Sequence, residues 1–102
     1  MATVIDITSK IKNEQKFIMY NGKNYKVDDS KNTIIKVFSI IDDAEGANIE
    51  MIDKVLVELL GKDAVKDFEG FSYQDYLVPF FAAMACVQNK TYEEVEKSFH
   101  ST

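Results

Sequence analysis

Along this chain the longest apolar stretch is FSYQDYLVPFFAAMACVQN, Phe71 to Asn89, in which only Pro79 interrupts the hydrophobic residues between Tyr76 and Val87. No side chain from Tyr76 to Val87 is charged. A helix apolar on nearly every side has to be wrapped by other protein or by lipid. Crossing a bilayer takes about 20 apolar residues, more than this run offers between its polar flanks. The pattern therefore predicts a buried central helix with the other elements packed around it. Ser72, with Asp75 three residues on, resembles a shortened capping box at its start. Pro79 removes one backbone hydrogen bond and crowds the preceding turn. Either one helix kinks near Tyr76, or a first turn stops at Leu77 and a second helix opens on Pro79; the kinked continuous helix is the expectation. Ala82, Ala83 and Ala85 allow another helix to approach closely.

Upstream, the period changes from helical to alternating. Residues 1–15 form an arm in which Val4-Asp6 and Ile5-Ile7 alternate before the chain turns polar. It reads as a short third strand or as an arm that pairs with another subunit. Lys16–Tyr20 and Lys23–Val27 flank Asn21-Gly22, a pair that readily takes the positive φ angles of a type I′ turn, so residues 16–27 predict a β-hairpin. A lone hairpin is marginal in water. Phe17 and Met19 on one face, with Ile18 and Tyr20 on the other, suggest that both faces are covered.

Four further helical segments follow from period and punctuation. Asp28, Asp29 and Ser30 can cap a helix over Lys31 to about Asp43, whose stripe is Ile34, Val37, Phe38 and Ile41 with Ile35 beside it. Asn48 caps a second, from about Ala47 or Asn48 to Leu60, burying Ile49, Ile52, Leu56, Leu59 and Leu60. Gly61 suits the left-handed position that ends it. Lys62 to Glu69 is a short helix or turn in which Val65 and Phe68 give a small apolar edge. Thr91-Tyr92-Glu93-Glu94 is a capping box for a final helix to about His100, with Tyr92, Val95 and Phe99 as its stripe. Strands followed by helices mean an α+β fold, mainly α: a hairpin, four to five helices in residues 29–100, and one domain over residues 16–102 behind the arm.

Composition narrows the function classes. With 102 residues, 46% of them hydrophobic, the chain can build a core. A net charge of -5 repels phosphate backbones. The first third is the basic part (Lys10, Lys12, Lys16, Lys23, Lys26, Lys31, Lys36), but acidic residues interleave, so a solvated mixed surface is expected rather than a nucleic-acid face. The start, MATVIDITSKIK, lacks the features of a signal peptide. Cys86 is the sole cysteine, and an intracellular, cytoplasmic protein is expected.

Catalytic and metal constellations do not emerge. One His and one Cys make no zinc set, and Cys86 in the apolar run reads as a small buried hydrophobe. Aligning Gly46 with the invariant sixth position of a calcium loop puts Ile41 and Ile52 where carboxylates belong, which excludes an EF-hand. Asp28-Asp29 and Glu93-Glu94 sit at helix starts, where the dipole favours acids; Asp42-Asp43 with Glu45 forms an acidic loop. The expectation is a non-enzymatic protein without cofactor or metal, acting through its surfaces.

The layout of a polar arm, then FIMYNGKNYKVDD, then helices ending in FAAMACVQNKTYEEVEKSF resembles small tail-assembly proteins of long-tailed bacteriophages and prophages of Gram-positive bacteria. That resemblance implies a chaperone-like protein that coats the hydrophobic tape-measure protein before the tail polymerises, and that self-associates. Contacts to such a helical partner would fall on Phe17, Met19, Tyr20 and Tyr25 of the hairpin and on Tyr92 and Phe99 of the last helix; the competing reading of each is ordinary core. The alternatives are a small structural virion component or regulatory protein, and a nucleic-acid-binding regulator using the Lys31–Asp43 helix.

Overall fold

The structure is a computed structural model that describes residues 2–46 and 48–100. Two strands, β1 (Lys16–Tyr20) and β2 (Lys23–Val27), precede five helices: α1 (Lys31–Asp43), α2 (Ile49–Leu60), α3 (Lys62–Asp67), α4 (Tyr73–Gln88) and α5 (Tyr92–His100). The fold is α+β and mainly helical. Asn21 and Gly22 both take positive φ, 53° and 80°, so the strands pair antiparallel with Tyr20 opposite Lys23 and Lys16 opposite Val27.

Capping chemistry fixes the helix starts. Ser30 Oγ accepts from the Thr33 N–H, Asn48 Oδ1 from the Met51 N–H and Ser72 Oγ from the Asp75 N–H. Thr91 and Glu94 complete a reciprocal box: each backbone N–H donates to the other's side chain, at 3.0 and 3.1 Å. Helix α4 is continuous through Pro79 rather than split. It ends at Asn89, which adopts the left-handed conformation while the Lys90 N–H donates to the Ala85 carbonyl.

Two helices share the centre. Helix α4 buries Tyr76, Leu77, Pro79, Phe80, Phe81, Ala83, Met84 and Ala85, and packs on α2, α5 and the hairpin. Helix α2 lies between α1, α3, α4 and β2, and buries Met51, Ile52, Val55, Leu56 and Leu59. The Tyr76 hydroxyl donates to the Asp53 carboxylate and joins the two. Burial and that bond together push the phenol's pKa far up.

Several expectations are corrected. The face of α2 is wider than its predicted stripe, because neighbours flank it on several sides; Ile49 stays exposed at the end. Helix α1 touches chiefly α2, so only a narrow strip is covered: Thr33 and Val37 are buried, whereas Ile35 and Phe38 face outward. Gly61 has φ 92° and ψ 162°, a positive φ but an extended rather than left-handed helical conformation. Phe68, expected on a minor edge, is among the most completely buried side chains. Among the described residues the arm adds no third strand. The Asp6 carboxylate accepts from the Thr8 N–H and hydroxyl, folding Thr8–Lys10 into a single 3-10 turn, and the described residues before Lys16 are exposed. Ala47, one of two predicted starts for α2, lies outside the described residues.

Candidate functional site: an apolar surface on the hairpin

Strand alternation sorts the hairpin into two faces. Lys16, Ile18 and Tyr20 point with Val27, Tyr25 and Lys23 toward the helices, while Phe17 and Met19 stand with Asn24 and Lys26 on the other side. Contrary to the expected covering of both faces, this second face is open, with Phe17 50% and Met19 73% exposed. The reason is architectural: α2, α3 and α4 all lie on the Tyr25 side.

The inner face fixes the hairpin firmly. Lys16 Nζ donates to the Cys86 carbonyl at 2.7 Å and lies 3.7 Å from the Asp29 carboxylate. That carbonyl belongs to the last turn of α4, where carbonyls lack helical partners and a cation is favoured. At the other end Lys23 Nζ and the Tyr25 hydroxyl both donate to Asp67 Oδ2, at 2.8 and 2.9 Å. The Lys23 ammonium, and then the Tyr25 hydroxyl, hold the Asp67 carboxyl below its ordinary value. Burial, reinforced by Asp67, raises the Tyr25 phenol. Tyr20, Tyr25, Phe68 and Phe71 form an aromatic group beneath, with centroids 5.2–6.0 Å apart: Tyr20 stands edge-on to Phe68 and Phe71, and Phe68 tilts against Tyr25 and Phe71. The Asp28 N–H donates to the Leu59 carbonyl at 2.8 Å, tying the end of β2 to α2.

Of the six predicted contact residues, three reach the surface of the hairpin: Phe17 and Met19 on its outer face, and half-exposed Tyr20 on the inner one, where it shares a groove with Met19. Tyr25 belongs to the core instead, 7% exposed, because its register opposite Ile18 aims it at Phe68. Tyr92 and Phe99 are half-buried at the far end, edge-on to Phe81 at 5.9 and 5.0 Å, and do not join the hairpin group. A surface residue that the predicted set missed is Val78. It is exposed on α4 although it sits inside the apolar run, and it lines a groove of about 250 Å³ with Ile18, Met19, Tyr20, Pro79 and Ala82. Its signal lay in the run itself, since an all-apolar helix without a partner on every side must expose something.

A larger groove, about 770 Å³, opens between α2, α3 and the start of α4, lined by Ile49, Val57, Val65, Phe71 and Tyr73 with Asp53, Lys66 and Glu69 at its border. Its Asp53 is already bonded to Tyr76. The Cys86 thiol is half-buried, and burial raises its pKa, the opposite of nucleophile activation. Among the described residues no group of three or more His, Cys, Asp or Glu is placed to hold a metal ion, and no helix is long and apolar enough to cross a membrane. The arrangement offers chemistry of contact: an aromatic and thioether surface beside an apolar groove, on a hairpin bonded at both ends to the helices. Comparison with protein-family models, curated proteins and solved structures finds no match to this chain.

Proposed function

We propose that the chain is a non-enzymatic, chaperone-like tail-assembly protein of a long-tailed phage or prophage, acting in the host cytoplasm on an apolar or amphipathic helical partner such as a tape-measure protein. The observation that carries this reading is the juxtaposition of Met19, Tyr20 and Val78, uncovered on anchored elements around one apolar groove, with Phe17 exposed beside Met19 on the outer face of the hairpin. Contiguous apolar surface on a soluble chain marks a place of contact. Methionine and aromatic side chains suit partners of varied sequence, because a thioether repacks easily and a ring supplies large area with few torsions. Recognition would follow the helix-in-groove mode, with side chains at i, i+3, i+4 and i+7 as anchors.

Co-expression with a tape-measure segment is the test. A soluble complex that is lost on Phe17→Ser/Met19→Ser supports the reading; a segment left insoluble beside a soluble chain refutes it. The projecting arm favours a second reading, a structural virion component that interlocks with neighbours. Purified particles separate the two, since an assembly chaperone is absent from the finished virion.

A further inference from the structure

This chain carries two unfilled halves of one interaction. The first is the arm. Val4 and Ile5 are 86% and 80% exposed, and Ile7 and Ile11 are exposed with them, so four aliphatic side chains within eight residues touch little of their own body. The molecule extends over 61 × 34 × 24 Å with a radius of gyration of 15.8 Å, against about 13 Å for a compact chain of this length. The arm thus stands away from the domain.

The second half is the outer edge of β1. In a hairpin closed by a two-residue loop, the pair flanking the loop exchanges both backbone hydrogen bonds, and bonded pairs alternate from there. Tyr20–Lys23, Ile18–Tyr25 and Lys16–Val27 are then the bonded pairs, which turns the N–H and C=O of Phe17 and Met19 outward. On the β2 side the outward N–H of Asp28 is taken by Leu59. Among the described residues no backbone group outside the hairpin bonds Phe17 or Met19. The open edge borders the apolar groove that contains Val78 and Ala82.

We propose that the arm of one copy adds as a strand to the β1 edge of another copy. The backbone of Val4–Ile7 pairs with that of Phe17 and Met19, Ile5 and Ile7 cover the groove, and Val4 lies beside Phe17 and Met19 on the outer face. The alternation of Val4-Asp6 with Ile5-Ile7 fits a strand that is apolar on one side. The arm is also the segment that a second acidic copy meets with least repulsion: within residues 1–15, Asp6 and Glu14 balance Lys10 and Lys12, so all of the chain's charge of -5 resides in the remainder. Each copy brings one arm and one edge, so the pairing satisfies itself without another protein. The proposal goes beyond the partner-helix reading and stands without it; because both place an occupant on the same groove, a helical partner would have to displace the arm.

The test uses the full chain, its mass followed by light scattering over a wide dilution series. The expected result is an assembly of at least twice the 11.6 kDa chain. It should fall to a single chain in Ile5→Asp/Ile7→Asp and in Met19→Pro, with helical circular dichroism unchanged. The Met19 N–H faces away from β2, so proline there removes no bond within the hairpin. In a Cys86→Ala background, mixing copies that carry Val4→Cys with copies that carry Phe17→Cys should give a disulfide joining the two. A single-chain mass at every concentration overturns the proposal, including the case of an arm folded onto its own hairpin. So does an assembly that neither variant weakens.

Discussion

Gly61 joins α2 to α3 at φ 92° and ψ 162°, and a Cβ built there would meet no atom within 4 Å. Space is therefore available but the conformation is not, since this region belongs almost entirely to glycine. Gly61→Ala should destabilise the fold by about 1–3 kcal/mol through backbone strain alone, read as a lower urea midpoint at unchanged slope. Phe68 is the opposite case, a side chain whose worth is all packing: its ring touches those of Tyr20, Tyr25 and Phe71. Phe68→Ala should cost about 3–5 kcal/mol in the same measurement. That a glycine with positive φ ends α2 was legible in the sequence because its role is local, whereas its extended rather than left-handed helical conformation was not. The weight of Phe68 was not, because two of its aromatic neighbours come from a hairpin more than forty residues earlier, beyond the reach of any periodicity.

At the scale of elements, local chemistry was again the readable part. Asn21-Gly22, Ser30, Asn48, Ser72 and the Thr91–Glu94 box all do what short-range rules ask of them. How each element faces the rest was less readable. Phe38 and Val37 are adjacent on the predicted stripe, yet α1 has one main neighbour, and only Val37 lies beneath it. The hairpin's seat on α3 depends on Asp67, which is bonded by Lys23 and Tyr25. A carboxyl held below its ordinary value contributes stability that is fully present above the unfolded-state pKa, about 4, and is lost as pH falls through the lower folded-state value. Asp28 works in the same direction, chiefly through the Thr33 hydroxyl. Thermal unfolding followed across acidic pH should therefore show Tm dropping below about pH 4, and Asp67→Asn should flatten part of that slope while lowering Tm at neutral pH.

Across the whole molecule, α2 and α4 gather the core, and among the apolar surfaces they leave uncovered is the face that the hairpin turns away from the helices. The central apolar helix could be read from the sequence. That it shares its position with α2, and that Val78 escapes burial, depends on how many neighbours a chain of this length can supply. Phe17→Ser/Met19→Ser should change stability by less than about 1 kcal/mol, as substitutions outside a core do, while removing partner binding. The methionines provide a direct reporter: Met19 stands on the proposed contact face, whereas Met51 and Met84 are buried. Methyl-labelled chain titrated with an amphipathic helix from a tape-measure segment should show the Met19 resonance shifting with binding while those of Met51 and Met84 stay in place. A helix that fails to bind, or binds and leaves Met19 unmoved, would contradict the assignment of the hairpin face as the site of contact.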